Sequence, residues 1–152
     1  MPGYIAKLLC PQLTIVHSNF NKYRDASMEV QNILKDYYPY FESPSLDEAY
    51  LDFTDVCTAQ DTWDVVEKMR KEIYEKTKLT CSAGIAPTKY LAKIASDYQK
   101  PNGQFMIENN TNDIMNFISK LNVKKVKGIG AVTAKILNAL NIETCQDILE
   151  YF

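Results

Sequence analysis

The sequence predicts an α/β or α+β protein: a small sheet with helices packed on it, followed by a unit built from short helices alone. Two observations carry this reading. Up to about residue 107, stretches with apolar residues at helical spacing alternate with short strand-like runs. Beyond the polar stretch Glu108-Asn109-Asn110-Thr111-Asn112 the strand-like runs stop, which places a boundary near residue 110. Charge changes along the chain as well. Residues 1–85 carry 9 Lys+Arg against 13 Asp+Glu (net −4), residues 86–135 carry 8 against 3 (net +5), and residues 136–152 carry 0 against 3 (net −3). An acidic first half beside a basic band suits cations in one place and phosphates in another, or it is solvated surface charge.

Each element has a local reason. Pro2 to Cys10 reads as a short helix closed before Pro11, and Thr14-Ile15-Val16 as a short strand. From about Phe20 to Tyr38, the residues Tyr23, Ala26, Val30, Ile33, Leu34 and Tyr37 recur at helical spacing, and Pro39 ends that helix. Leu46 to Phe53 reads as a core strand. Val66, Met69 and Ile73 mark an amphipathic helix from about Thr62 to Lys76. Leu79 to Ile85 is a strand of small residues, and its Ser82-Ala83-Gly84 lets another element approach closely. Thr88 is placed to cap a helix running to about Tyr98. Pro101-Asn102-Gly103 signals a turn before a strand from Gln104 to Ile107. Short helices follow at about 113–121, 131–140 and 145–151. Tyr37-Tyr38 and Tyr40-Phe41 are expected in the core under the sheet, and Trp63 in helix packing.

Composition narrows the chemistry. The chain has 152 residues, 46% hydrophobic and 24% charged, the balance of a globular domain with a real core. No apolar run reaches the roughly 18–20 residues of a membrane span, and the N-terminal stretch lacks the pattern of a signal peptide. With one histidine, and with Cys10, Cys57, Cys81 and Cys145 far apart, a zinc cluster is not expected and free thiols are.

The question the sequence poses is the acidic pair Asp47-Glu48 within Pro44-Ser45-Leu46-Asp47-Glu48-Ala49-Tyr50-Leu51-Asp52-Phe53. Neighbours on a regular strand point to opposite faces, so the two carboxylates converge only at a hairpin end or a bulge. A divalent cation offsets the cost of burying them, and hard oxygen ligands suit Mg²⁺. An exposed acidic pair on a turn is the alternative. Downstream, Lys89 and Lys93 lie four residues apart on the Thr88 helix, and Lys100 precedes the Pro-Asn-Gly turn, where its point charge suits a triphosphate.

Residues 123–142, VKKVKGIGAVTAKILNALNI, form a second motif. Gly128-Ile129-Gly130 opens a helix with backbone N–H groups exposed, an anion site suited to a DNA phosphate. Lys124, Lys125, Lys127 and Lys135 surround it, and Val126, Ile129, Val132, Ile136, Leu137 and Leu140 supply an apolar face. This is a helix-hairpin-helix signature; the alternative is a glycine helix-start with a solvated lysine face.

Ser45-Leu46-Asp47-Glu48-Ala49-Tyr50-Leu51-Asp52, Ser82-Ala83-Gly84-Ile85-Ala86, Leu91-Ala92-Lys93-Ile94-Ala95-Ser96-Asp97 and Lys100-Pro101-Asn102-Gly103-Gln104 together resemble the Y-family translesion DNA polymerases, in the branch of polymerase kappa and bacterial polymerase IV. The motifs run in matching order over essentially the whole chain. The resemblance implies a polymerase palm, with a mixed or antiparallel sheet and helices on one face, followed by a small helical thumb. By residues it implies the end of a fingers region at 1–12, the palm at 13–109 and the thumb at 110–152, with the helix-hairpin-helix at about 122–142. It implies two-metal nucleotidyl transfer from a deoxynucleoside triphosphate to a primer 3′-hydroxyl, with release of pyrophosphate. Asp47 and Glu48 are then catalytic and bind Mg²⁺, Asp47 bridging both ions. Lys100 contacts the incoming nucleotide's phosphates. Lys127, Gly128, Ile129, Gly130 and Lys135 contact primer-template DNA.

The family's third carboxylate and most of its fingers have no counterpart here. The expectation is therefore a catalytically incomplete part of a longer protein, inactive alone, with Met1 internal and self-association possible through an incomplete sheet. The alternative is a non-catalytic DNA-binding remnant acting through its helix-hairpin-helix. A weaker third is an interaction module with neither activity. Asp52 has no clear metal role, and His17 is given none. The resemblance points to the nucleus, with bacterial cytoplasm as the alternative.

Overall fold

A computed structural model describes residues 1–56 and 58–151. The expected free thiol at Cys57 lies outside the described residues; Cys10, Cys81 and Cys145 are free. In chain order the elements are α1 (Gly3–Leu9), α2 (Phe20–Tyr37), β1 (Phe41–Ser45), β2 (Glu48–Leu51), α3 (Ala59–Thr77), β3 (Ala83–Ile85), α4 (Lys89–Ser96), β4 (Gln104–Met106), α5 (Thr111–Ser119), a 3₁₀ turn (Val123–Lys125), α6 (Ala131–Ala139) and α7 (Cys145–Tyr151). The expected α+β organisation is present, and the described strands all precede α5.

Helix starts follow side-chain capping. Asn19, Thr58, Thr88 and Asn110 each accept a first-turn backbone N–H, from Lys22, Asp61, Leu91 and Asp113. Such a cap is worth about 1 kcal/mol. The Thr58 cap starts α3 at Ala59, earlier than the expected Thr62. Lys78 ends α3 in the left-handed region, with φ 61°.

The sheet is split. β1 and β2 form an antiparallel hairpin, β3 and β4 form a parallel pair, and among the described residues no strand joins the two ribbons. The faces that meet bury two clusters. Ile33 and Leu34 of α2 pack on Val66, Met69 and Ile73 of α3, flanked by Leu51 and Ile85. Leu91 and Ala95 of α4 pack with Ile107, flanked by Phe105, Ile114, Phe117 and Ile118. The second cluster joins the helical unit to the β3–β4 ribbon. Phe105, Phe117 and Tyr98 stack there with centroids 4.4–5.7 Å apart. Within the helical unit Val123 is fully buried, and Leu121, Ala134 and Ile142 are buried as well. Backbone bonds from Val123 N to Glu143 O and from Cys145 N to Leu121 O tie its two ends together.

Several expectations are corrected. Thr14-Ile15-Val16 is not a strand: no described strand pairs with it, and Ile15 and Val16 are 63% and 83% exposed. A strand without a ladder has nothing to hold it extended. Strand Leu46–Phe53 is shorter, because Leu46-Asp47 turn and β2 begins at Glu48. Its partner β1, with alternation hidden by Pro44, was not expected. Leu79–Ile85 narrows to Ala83–Ile85, the three residues that β4 reaches. Tyr40 is exposed, not core. Tyr37 is half-buried and donates to Glu72 Oε2 at 2.5 Å; burial first, then Glu72, pushes its phenol up to about 12. Trp63 sits in α3, half-buried, and its carbonyl accepts from buried Gln104 at 2.9 Å.

Gly84 shows why β3 is made of small residues. A Cβ there would lie 2.1 Å from Ala92 O and 2.3 Å from Ser96 N, both α4 backbone. Gly84→Ala must therefore push α4 off β3. We expect a loss of about 3 kcal/mol or more in denaturant unfolding; a loss below about 1 kcal/mol would show that α4 yields freely.

Candidate active site and nucleic-acid interface

The acidic pair stands at a hairpin end. β1 and β2 pair Phe41 with Leu51, Glu42 with Tyr50 and Ser45 with Glu48, and the register slips by one between Glu42 and Ser45. The slip is a bulge, and Pro44 lies in it, where a missing N–H costs least. Asp47 is thus in the two-residue turn and Glu48 opens β2. The supposition that the pair lies in a core strand is corrected: β1 is mostly exposed, Asp47 is exposed and Glu48 half-buried.

Hydroxyls shape this turn. Ser45 Oγ donates to Asp47 Oδ1 at 2.8 Å. Ser43 Oγ lies 2.9 Å from Ser45 O and 3.1 Å from Glu48 O, and Gln31 Nε2 donates to it at 3.2 Å. Asp52 serves local structure: it accepts from Thr54 Oγ1 at 2.6 Å and Thr54 N at 3.0 Å, which holds its carboxyl below the usual range.

Helix α4 is the hairpin's electrostatic partner. Lys89 pairs with Glu42 at 2.5 Å, and Lys93, one turn on, pairs with Glu48. The hydrogen bond to Glu48 raises the Lys93 ammonium pKa above its ordinary value. At the far end of α4, Asp97 pairs with Lys100 at 2.5 Å. Lys100 first, then Lys93 and Lys125, hold the Asp97 carboxyl low.

Lys100 sits on a braced turn. Arg70 of α3 donates through Nη2 to Asn102 O at 2.6 Å and Asn102 Oδ1 at 2.9 Å, and through Nε to Cys81 O at 3.0 Å. Asn102 has φ 49°, and a Cβ on Gly103 would meet Gln99 O at 1.9 Å. One fork thus fastens the Lys100 turn to the start of the β3 segment. Nothing in the local pattern around Arg70 foretells this. Lys89 and Lys93 were legible as an i,i+4 pair, but their glutamate partners were not.

The glycine loop lies between the 3₁₀ turn and α6. Gly128 has φ 101° and needs to be glycine; Gly130 has φ −82° and caps α6 without a side chain. A Cβ on either would meet nothing within 4 Å. The first turn of α6 therefore has no side-chain cap, and the space beside Gly130 is open. Lys124, Lys125, Lys127 and Lys135 are exposed, and Ile129 is half-buried. The Lys127 N–H donates to Tyr90 Oη of α4 at 3.2 Å, so the loop also rests on the helix that faces the hairpin.

Asp47 and Glu48 offer hard oxygens, and among the described residues no group of three or more His, Cys, Asp or Glu is placed to hold a metal. That donor set fits Mg²⁺ held by one or two carboxylates together with substrate phosphates, not an all-protein cage. No described helix is long and apolar enough to cross a membrane.

An acidic hairpin, a braced lysine turn and a helix-hairpin-helix on one α+β scaffold define the class. The chain belongs to the impB/mucB/samB family, whose model matches residues 1–97; the IMS family HHH motif matches residues 111–142. The second match takes in α5, upstream of the expected start near 122. The chain is 45% identical to DNA polymerase kappa of Arabidopsis thaliana, over 99% of this chain and 23% of that protein. It is 46% identical to DNA polymerase IV of Yersinia pestis, over 99% of this chain and 43% of that one. DinB from Sulfolobus solfataricus superposes with a TM-score of 0.88 at 35% identity, over 99% of this chain and 44% of that one. An insertion ternary complex of Dbh DNA polymerase gives 0.85 at 35% identity over 99% and 44%. The chain thus spans less than half the length of these relatives.

Arg70→Lys keeps the charge but loses the fork. We expect a loss of about 1–3 kcal/mol in denaturant unfolding; an unchanged midpoint would show that the Lys100 turn holds itself.

Proposed function

We propose that the chain is the palm and thumb part of a DNA-directed DNA polymerase of the error-prone, lesion-bypass type. The observation that carries the reading is a convergence. Glu48 pairs with Lys93 of α4, Lys100 pairs with Asp97 at the C-cap of that helix, and Tyr90 of α4 supports the glycine loop. Metal ligand, phosphate contact and DNA grip are then referred to one rigid helix. Family membership supports the same reading.

In this reading residues 1–12 end a fingers region, 13–109 are palm and 110–152 are thumb. Asp47 and Glu48 hold Mg²⁺ at the hairpin end, and when bound it supplies Lewis-acid chemistry at the primer 3′-hydroxyl and the leaving phosphates. Ser45 orients the Asp47 carboxylate. Lys100 neutralises phosphate charge on the incoming deoxynucleoside triphosphate. The hydroxyl attacks the α-phosphorus, pyrophosphate leaves, and the DNA is one nucleotide longer. Lys127, Gly128, Ile129, Gly130 and Lys135 hold the backbone of primer-template DNA without reading sequence, so binding weakens with salt. The parent enzyme works in the nucleus, or in the cytoplasm if the chain is bacterial. Exposed Ile15 and Val16 and the split sheet support self-association when the chain is alone.

Two carboxylates are too few for efficient two-metal chemistry, so the purified chain should give no primer extension with Mg²⁺. Joined to the N-terminal portion of a relative such as polymerase IV of Yersinia pestis, it should extend a primer. Asp47→Asn or Glu48→Gln should then cut the rate by about two orders of magnitude or more. A chimera indifferent to both substitutions would sink the catalytic assignment. Extension by the chain alone, lost in both variants, would sink the claim that it is incomplete.

The DNA-binding remnant remains as a second reading because the Gly130 N-cap is open. Gly130→Ala keeps every backbone N–H and sets a methyl in the open space before α6; it should cost at most about 1 kcal/mol of stability and, by keeping a phosphate from the helix start, weaken duplex DNA about fivefold by fluorescence anisotropy at low salt. Equal affinity would remove the loop from the interface.

A further inference from the structure

Four charges of alternating sign follow one another from neighbour to neighbour: Glu48 pairs with Lys93, Lys93 lies near Asp97, and Asp97 pairs with Lys100. The outer two are the residues read above as cation ligand and phosphate contact. The inner two are four residues apart at the C-terminal end of α4, and neither has a role in that reading. Each inner residue neutralises an outer one, Lys93 on Glu48 and Asp97 on Lys100.

We propose that Lys93 and Asp97 are positioning residues that stand in for the substrate: Lys93 holds the Glu48 carboxylate until a divalent cation takes it, and Asp97 holds the Lys100 ammonium until a polyphosphate takes it. The inference rests on the reading of Glu48 and Lys100 given above. Exposure supports exchange. Side chains in the Lys93–Glu48 pair are 36% and 38% exposed, and those in Lys100–Asp97 are 55% and 40% exposed. Pairs this wet hold their partners by only about 1.5- to 5-fold, so an incoming cation or phosphate displaces them at small cost. A fully buried pair would resist opening.

The released groups are not stranded. Lys93 and Asp97 are separated by one helical turn, each already lies in the other's field, and they can pair with one another. Charge on the face stays balanced with and without substrate, and Glu48 and Lys100 are kept near their working positions.

The Lys89–Glu42 pair provides an internal control. It joins the same helix to the same hairpin, with side chains 61% and 68% exposed, and involves neither Glu48 nor Lys100. Mn²⁺ is titrated into the 152-residue chain while paramagnetic broadening of the Glu48 amide is followed by NMR. We expect Lys93→Met to bind Mn²⁺ about two- to fivefold more tightly, Lys89→Met to match the unaltered chain, and Glu48→Gln to lose the site. Lys93→Met no tighter than Lys89→Met, with Glu48→Gln still weakened, overturns the inference alone. Glu48→Gln equal to the unaltered chain overturns the cation site and the inference together.

The phosphate side is read by ³¹P NMR with metal-free tripolyphosphate at low salt. Asp97→Asn should tighten binding about two- to fivefold, and Asp97→Asn/Lys100→Met should abolish the gain. No gain in Asp97→Asn, while Lys100→Met still weakens binding, leaves Asp97 as a helix-end staple and overturns its role. Lys100→Met equal to the unaltered chain overturns the phosphate contact itself.

Discussion

Helix α4 can lie on β3 only because residue 84 has no side chain, since α4 backbone atoms occupy the place where a Cβ would go. Most of the site depends on that close approach. Seated on β3, α4 presents Lys89 and Lys93 to the β1–β2 hairpin, Tyr90 to the loop before α6, and Asp97 to Lys100. Its apolar side, Leu91 and Ala95, meets the aromatic cluster that joins α5 to the ribbon. One short helix therefore carries both the packing that unites the chain and the polar contacts that align its functional parts. A shift of α4 would move the hairpin, the lysine turn and the glycine loop relative to one another.

The charge segregation along the sequence acquires a geometry in the fold. Acidic residues of the first half, Glu42 and Glu48, are met by lysines of the basic band. The part of that band beyond Lys120 stays exposed around the glycine loop. Opposite charges at the hairpin limit self-repulsion among the carboxylates, while the exposed lysines near the loop give that side a positive field. The pairing costs little because it is half-exposed, and for the same reason it can be undone.

The legibility of the structure follows the range of the forces involved. The helices were legible because capping and 3.6-residue periodicity are local: Thr88 caps α4 as its position implied, and α2 ends beside Pro39. Strands were less legible because a strand exists only where a partner meets it. Thr14-Ile15-Val16 has strand-like residues and no ladder, and β1 has a poor pattern but a partner in β2. Asp47 and Glu48 stood out as an anomaly in an apolar run, and the anomaly marked the hairpin end. Arg70 did not stand out, because its four acceptor atoms come from segments 11 and 32–34 residues away.

The sequence by itself determined a mixed class of helices and short strands and the order of the helices. Those are set by residue type and by near neighbours along the chain. Only the tertiary structure decided that the sheet is split into two ribbons and that the acidic pair sits at a bulged turn outside the core. It alone decided that Glu42 and Glu48 are paired with lysines of α4. Pairing of strands and charges depends on which distant surfaces meet once the apolar faces of α2, α3, α4 and α5 are buried, and no local pattern encodes that meeting.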